Sequence, residues 1–259
     1  AIDAMNAGKI VGAEVCGAVK LQECWDVVNT SERTKIPLMM LENVCYRRDV
    51  MAVLNMVRKG MFGELVHGQG GYEHDLRGVL FNDGKTAYNS GVDFGPNAYS
   101  EAQWRTRHNL ERNGELYPTH GLGPVAVMMN INRGNRMLSL CSMASKAVGL
   151  NAWLKEHRLG EPIASRPVNQ GDIVTTLIKC ANGETIVLTH DCTLPRPYSR
   201  GGRVQGTKGI WMEDNRSIYI EGGEGMTPHT FVSDAAYMEK YMHPLWRQYE
   251  EFGLRGGHG

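Results

Sequence analysis

The chain has 259 residues, in which 28 Lys and Arg balance 28 Asp and Glu, so its formal net charge at pH 7 is zero. This balance argues against nucleic acid as the main partner of the protein. Hydrophobic residues make up 42% and charged residues 22% of the chain, proportions that are typical of a globular protein and exclude a disordered polymer. No apolar run reaches the roughly 18 residues that a membrane-spanning helix needs, so we expect no membrane span.

The first part of the chain alternates strands and helices. In chain order, the predicted elements are the last turns of a helix at residues 1–7, a strand at 10–15, a helix at 18–29, a strand at 36–43 and a helix at 48–59. This spacing is typical of βαβ architecture with a parallel sheet. Ligands bind outside the carboxyl ends of such strands, where Glu14, Glu42 and Asn43 lie. The alternative for both glutamates is a strand-end polar residue without a function.

After Gly63 the pattern changes to one dominated by strands. The predicted elements are a strand at 64–72, a polar stretch at 75–112 with few regular signals, an apolar helix at 121–132, and strands at 173–178, 185–190, 202–205, 208–212 and 217–219. Asn182-Gly183, between two alternating runs, predicts a β-hairpin. We therefore predict an α/β plus α+β fold class, in which the end of a parallel α/β domain precedes a domain with a large, mostly antiparallel open sheet.

The six cysteines have no C-x-x-C spacing, so neither a zinc ribbon nor a redox pair is indicated. We expect most of them to be buried small hydrophobic residues. The sequence also lacks a convincing pair of His or carboxylate residues at helical i, i+4 spacing. We therefore predict no metal site.

Glycine is unusually frequent, with 31 residues spread along the chain, which indicates many tight turns and close backbone approaches. The group Gly121–Ala126 formally matches a dinucleotide-binding motif, but that mechanism requires a strand that leads into the first glycine. No strand run precedes Gly121. We therefore favour a tight turn, followed by a helix with Pro124 near its first position.

The segment Tyr117-Pro118-Thr119-His120 is the most informative candidate for chemistry. It places a phenol, a hydroxyl and an imidazole within four residues, beside glycines that let a ligand approach. Histidine and tyrosine can both take part in proton transfer. A turn with a hydrogen-bonded tyrosine and a capping threonine or histidine is the structural alternative.

Three further segments are weaker candidates. The run 72–77 places charges and an imidazole at a strand end, Trp104-Arg105 with His108 offers an aromatic platform and a guanidinium for a sugar or carboxylate, and 194–203 is basic and rigid. A surface network, a solvated helix face and a simple corner are the respective alternatives.

Taken together, these segments resemble the glucose-fructose oxidoreductase and inositol dehydrogenase (Gfo/Idh/MocA) superfamily, and within it the NAD-dependent glycosidases of glycoside hydrolase family 109. The matching segments are 7–15, 42–46, 72–77, 112–124 and 206–209. The run that ends in Tyr-Pro-Thr-His-Gly-Leu-Gly-Pro is specific to the glycosidases, whereas the Gly-Lys strand and the Gly-Thr-Lys-Gly turn belong to the broad superfamily.

The resemblance implies NAD as the cofactor, with Glu14, Val15 and Asn43 in contact with it. Dehydrogenases of the superfamily usually carry a catalytic lysine where this chain has Val15, and this difference favours the glycosidase branch. The implied catalytic residues are His120, Tyr117 and Tyr72. The implied substrate-binding residues are Tyr72, Arg105, Tyr117, Pro118, Thr119, His120 and Tyr198.

The implied reaction is retaining hydrolysis of terminal α-N-acetylgalactosamine or a related sugar. It proceeds by C3 oxidation, C2 deprotonation, elimination, water addition and re-reduction, and such NAD-dependent enzymes are exceptions to the two-carboxylate route. A tyrosine base would need its pKa lowered from about 10. The alternatives are an NAD(P)-dependent sugar or cyclitol dehydrogenase and a non-catalytic binding module.

The resemblance also implies a domain organisation and partners. Residues 1–45 would be the C-terminal part of a dinucleotide-binding (Rossmann) domain, and residues 46–259 an incomplete substrate-binding and oligomerisation domain. We expect the chain to be a fragment that lacks the amino-terminal part of the Rossmann domain and the carboxyl terminus. The expected partners are the terminal sugar of a glycoconjugate and further copies in a homo-oligomer, whereas the compartment is left open.

Overall fold

The computed structural model describes residues 1–15, 17–85, 94–157 and 167–253 of the chain. The amino-terminal elements are α1 (Ile2–Asn6), β1 (Val11–Ala13), α2 (Leu21–Thr34), β2 (Leu38–Met40), a 3-10 turn (Asn43–Tyr46) and α3 (Arg48–Arg58). β1 and β2 pair in parallel, with Ala13 opposite Met40, and the Leu41 N–H donates to the Ala13 carbonyl at 2.8 Å. The carboxyl ends of the two strands therefore lie at the same edge, as the βαβ pattern predicts.

Eight further strands form one large sheet. They are β3 (Leu65–Glu73), β4 (Met137–Ala144), β5 (Ile173–Cys180), β6 (Thr185–Asp191), β7 (Arg203–Gly206), β8 (Gly209–Met212), β9 (Ser217–Ile220) and β10 (Val232–Ser233). The strand order is β10-β9-β8-β7-β3-β6-β5-β4. The β3–β6 pair is parallel and the other neighbouring pairs are antiparallel. The predicted fold class is confirmed, and the Asn182-Gly183 hairpin joins β5 to β6 as expected.

The main apolar core lies between this sheet and the helices on its inner face. Val53 and Met56 of α3 and the following Phe62 cluster with Trp211 of β8 and Ile218 of β9. Burying such a side chain contributes about 1.5–3 kcal/mol. The remaining helices are α4 (Arg77–Leu80), α5 (Arg105–Glu111), α6 (Thr119–Met128), α7 (Gly149–Glu156), α8 (Ala235–Lys240) and α9 (Pro244–Gly253). Across the described ranges, no helix is both long and apolar enough to cross a membrane.

Helix α6 lies unusually close to β3. A Cβ built on Gly121 would lie 2.3 Å from the backbone nitrogen of Gly71 and 2.6 Å from the carbonyl carbon of Gly70. A Cβ on Gly123 would lie 2.9 Å from both the Cys45 Sγ and the Glu42 Cγ. These positions exclude a side chain, so the glycines of the Gly-Leu-Gly motif let a helix pack against a strand and a 3-10 turn.

Several sequence predictions were wrong in their local detail. Helix α6 begins at Thr119, directly after Pro118, so Pro124 lies inside the helix and not near its first position. The polar stretch 75–112 contains α4 and α5, which are too short for a clear apolar period. Strand β4 was missed because it is an edge strand with nearly all its residues exposed, so its sequence lacks an apolar alternation.

The expectation of mostly buried cysteines was also wrong. Cys180 and Cys192 are buried, but Cys24 on α2 and Cys141 on β4 are exposed, and Cys45 is intermediate. The exposed pair lies on elements that other described elements leave uncovered. All five of these cysteines are free thiols, and Cys16 lies outside the described residues.

Candidate active site

A cavity of about 280 Å³ opens between the first strand ends and the large sheet. The predicted site residues that line it are Val15, Tyr72, Arg105, Tyr117, Pro118 and Thr119. They come from the loop after β1, from β3, from α5 and from the segment that leads into α6. The structure therefore brings together residues that are up to 104 positions apart in the sequence.

Two tyrosines that line this cavity, Tyr72 and Tyr117, are in contact with the ring of His120, which does not line it. The centroids of Tyr72 and Tyr117 are 4.9 Å apart, and the His120 ring lies 5.0 Å from Tyr72 and 4.7 Å from Tyr117. The His120 ring is nearly perpendicular to that of Tyr72, at 89°. The close approach of α6 to β3 makes this cluster possible, because Tyr72 follows Gly70-Gly71 and His120 precedes Gly121.

Glu42 is the partner of the His120 imidazole. Its Oε1 lies 2.8 Å from His120 Nδ1 and accepts a hydrogen bond from the Val44 N–H at 3.0 Å. The carboxyl is buried, with 6% of the residue exposed. Burial raises the pKa of Glu42, but the hydrogen bond and charge of His120 outweigh it, so the pKa is lowered overall. A carboxylate on Nδ1 fixes the ring orientation and leaves Nε2 for chemistry.

A second series of rings continues from Tyr72 toward solvent. The Tyr72 hydroxyl lies 3.5 Å from His74 Nδ1, and the His74 ring packs edge-on against Tyr198 at 4.9 Å. Burial lowers the pKa of His74 and raises that of Tyr198. The predicted residue Tyr198 is half exposed and contacts the cluster through His74.

Arg105 is one of two arginines that line the cavity, and Arg112 is the other. The Arg105 guanidinium lies 5.3 Å from the ring centroids of both Trp104 and Tyr117, and its Nε lies 2.8 Å from Glu101 Oε2. Burial raises the pKa of Tyr72 far above that of a free phenol, and the Arg105 charge opposes this shift without cancelling it. Tyr72 is therefore a neutral hydrogen-bond donor in the resting site, not a ready base.

Of the three predicted cofactor contacts, Val15 lines the same cavity, whereas Glu14 and Asn43 are exposed and do not line it. Val15 lines it together with Ala18 and Val19, and the exposed Glu14 accepts a hydrogen bond from the Val15 N–H at 3.0 Å. Asn43 is also exposed, and it begins the 3-10 turn that follows the carboxyl end of β2. An apolar wall beside exposed polar groups at two strand ends fits the nicotinamide end of NAD. Within the described parts of the chain, no three His, Cys, Asp or Glu side chains are grouped to hold a metal ion.

Two residues of this arrangement, Glu42 and His74, were not among the predicted site residues. Glu42 was considered only as a strand-end residue, and His74 only as part of a polar run. No sequence pattern links Glu42 to His120, which follows it by 78 positions. The one available signal was the matching of both segments to the same family.

Comparison with known proteins gives consistent results. A family model described as "Glycosyl hydrolase 109, C-terminal domain" matches residues 46–259. A glycosyl hydrolase family 109 protein of Stenotrophomonas maltophilia is 54% identical over 263 residues, which cover the whole chain and 58% of that protein. An alpha-N-acetylgalactosaminidase of Tannerella forsythia is 53% identical over 264 residues, which cover the whole chain and 56% of that protein. The chain therefore spans little more than half the length of these relatives.

A solved structure shares the fold at low sequence identity. The crystal structure of an NAD binding oxidoreductase from Klebsiella pneumoniae matches with a TM-score of 0.64 and 18% identity, and the match covers 99% of this chain and 61% of that one. The likeness shows that this chain and that oxidoreductase share a fold.

Proposed function

Because the chain belongs to the glycosyl hydrolase 109 family, we propose that it forms the substrate-binding part of an NAD-dependent retaining glycosidase. The proposed substrate is terminal α-N-acetylgalactosamine or a related sugar, and this choice is supported by the Tannerella forsythia relative, which is named an alpha-N-acetylgalactosaminidase. The observation that carries the proposal is the cluster that Tyr72 and Tyr117, which line the cavity, form with the imidazole of the Glu42–His120 pair.

His120 is the proposed carrier of protons. Its Nδ1 is engaged by the Glu42 carboxylate at 2.8 Å, so Nε2 is the atom that accepts a proton from the sugar and later returns it. The Glu42 charge stabilises the imidazolium that forms. The phenols of Tyr117 and Tyr72 orient the sugar hydroxyls by hydrogen bonds, since the raised pKa of Tyr72 keeps its proton in place.

The cofactor would be held at the strand ends by Glu14, Val15 and Asn43. When bound there, NAD supplies the reversible oxidation at C3 that makes the C2 proton acidic. Val15 contributes an apolar surface at the position where a proton-transferring lysine is usual in superfamily dehydrogenases. In this proposal, proton transfer is left to His120, which contacts Tyr72 and Tyr117.

We also propose the division of the chain into a cofactor-binding part at 1–45 and a substrate-binding part at 46–259, because the family model begins at residue 46. The proposed partner is the terminal sugar of a glycoconjugate. Association with further copies stays a prediction, supported by the exposed Leu138, Leu140 and Met143 of the edge strand β4.

The test compares Tyr117→Phe and His120→Ala with the parent protein, expressed from its complete gene and supplied with NAD⁺, on an aryl α-N-acetylgalactosaminide. Removing a proton carrier lowers kcat by about 10²- to 10⁴-fold. The kcat of His120→Ala should therefore fall by at least about 100-fold. Tyr219→Phe, a tyrosine on β9 away from the cavity, is the matched control. Wild-type rates in both site variants would contradict the assignment, and net NADH accumulation with free sugar would indicate a dehydrogenase instead.

A further inference from the structure

The cavity contains a second buried cluster that the proposed reaction does not use. It consists of Glu115, His190 and Cys192, all of which line the cavity. His190 on β6 is 4% exposed, and its Nδ1 lies 3.2 Å from Glu115 Oε1 and 3.9 Å from the Cys192 Sγ. A buried acid–imidazole pair is costly unless it has partners, so its position in a ligand cavity calls for a specific role.

This cluster is connected directly to the two tyrosines of the site. His190 is the register partner of Tyr72 across the parallel β3–β6 pair, and the Cys192 thiol donates to the Tyr72 carbonyl at 3.3 Å. Glu115 Oε1 also accepts a hydrogen bond from the Tyr117 N–H at 3.2 Å. A sugar bound against the two phenols therefore has its adjacent substituent close to this cluster.

The chemistry around the cluster combines charge with an apolar surface. Burial lowers the pKa of His190, but the neighbouring Cys192 sulfur and Glu115 carboxylate outweigh it and raise the pKa overall. Because Glu115 engages Nδ1, Nε2 is the ring nitrogen that can donate to a ligand. The same cavity is lined by the side chains of Leu76, Leu80 and Leu116. A strong donor beside an aliphatic wall matches a group with one exposed carbonyl oxygen and a small apolar end.

We propose that His190 and Glu115 form a subsite for an acylamino substituent of the sugar. His190 Nε2–H donates to the acyl oxygen, Glu115 holds the imidazole in place, and the acyl methyl packs against Leu76, Leu80 and Leu116. The subsite thereby distinguishes a 2-acetamido sugar from its 2-hydroxy analogue, since the analogue leaves the buried donor unpaired. This inference rests on the proposed function for the placement of the sugar ring.

The competing explanation is that Glu115 and His190 only clamp the segment of Tyr117. The two explanations differ in what they predict for substrates. A clamp affects every substrate equally, whereas a subsite affects only those that carry the acylamino group. The ratio of kcat/KM values for two matched substrates therefore separates them.

The experiment uses the complete-gene protein with NAD⁺ and measures kcat/KM for an aryl α-N-acetylgalactosaminide and the corresponding aryl α-galactoside. Loss of a charge-assisted hydrogen bond corresponds to about a 10- to 100-fold decrease. His190→Leu should show this decrease for the acetamido substrate, with the galactoside rate changed less than about threefold. Equal losses on both substrates would overturn the subsite. His67→Gln, a half-buried histidine paired with Thr185, is the matched control.

Two further measurements keep the inference testable. If thermal unfolding shows that His190→Leu is not folded, His190→Gln takes its place. The ratio of kcat/KM values for the two substrates must then change in the same way in His190→Gln. If the parent hydrolyses neither glycoside, the proposed glycosidase function fails, and calorimetric titration with N-acetylgalactosamine and galactose tests the subsite alone. A preference for the acetamido sugar that His190→Gln abolishes would support it, and equal binding of both sugars would refute it.

Discussion

The close contact between α6 and β3 allows the loss of stability in Gly121→Ala to be predicted. In Gly121→Ala the new Cβ would lie 2.3 Å from the Gly71 nitrogen and 2.6 Å from the Gly70 carbonyl carbon, whereas ordinary contacts begin at 3.4 Å. The neighbours are backbone atoms of a central strand and cannot rotate away. Helix and strand must therefore separate by about 1.1 Å, the difference between 3.4 and 2.3 Å.

The energetic consequence combines two opposing effects. Overpacking costs about 1–3 kcal/mol, and a clash with backbone on both sides belongs at the upper limit. Alanine's helix preference over glycine returns up to about 1 kcal/mol. The expected net loss is about 2 kcal/mol in the free energy of unfolding, which lowers Tm by about 4–8 °C for a chain of this size.

The assay is thermal unfolding of the chain by circular dichroism, with Gly114→Ala as the control. A Cβ on Gly114 meets no atom within 4 Å, so this variant should unfold within about 1 °C of the parent. In the complete protein, a 1 Å shift of His120 should also reduce kcat about 100-fold. If Gly121→Ala unfolds at the temperature of the parent, the close packing that positions His120 is not as described.

Two predictions concern groups at the Glu42 end of the site. The pKa of Glu42 is lowered in the folded protein. Its ionisation therefore stabilises the fold above about pH 4.5, and this stabilisation is lost as the pH falls through the lower folded pKa. The difference in unfolding free energy between the parent and Glu42→Gln should therefore shrink below about pH 4.5. A difference that grows with acidity in urea unfolding would contradict this. Burial, aided by the Glu42 charge, raises the pKa of Cys45 to about 12. A brief iodoacetamide treatment at pH 7.5 should therefore label the exposed Cys141 well before Cys45, as measured by peptide mass mapping. Faster labelling of Cys45 would refute its placement.

The sequence predicts those parts of the fold that depend on local patterns. The β5–β6 hairpin follows from alternating residues on both sides of Asn182-Gly183, and α3 follows from its apolar period. Strand β4 has no such pattern, because an edge strand with exposed faces needs no alternation. Its position next to β5 is decided by backbone pairing, which leaves little trace in the side chains.

The sequence proposed individual residues of the candidate site but not their arrangement. Tyr72, Tyr117 and His120 were predicted from their motifs and the family resemblance, yet their ring contacts depend on the approach of α6 to β3. The pairing of Glu42 with His120 crosses 78 positions and is decided by where the 3-10 turn packs on the helix. Such contacts are tertiary, so periodicity and propensity carry no information about them.

The unusual glycine content provides the physical link between composition and site. Some glycines serve turns, as Gly183 does with its φ of 106° in the β5–β6 hairpin. Gly70, Gly121 and Gly123 have a different role, because each has backbone or side-chain atoms where a Cβ would be. They let a helix approach both a strand and the Glu42 turn, so His120 reaches its carboxylate and its two tyrosines together. An alanine at any of these three positions would move the imidazole away from at least one partner, so these three glycines are explained by the close packing that brings His120 to Glu42 and the two tyrosines.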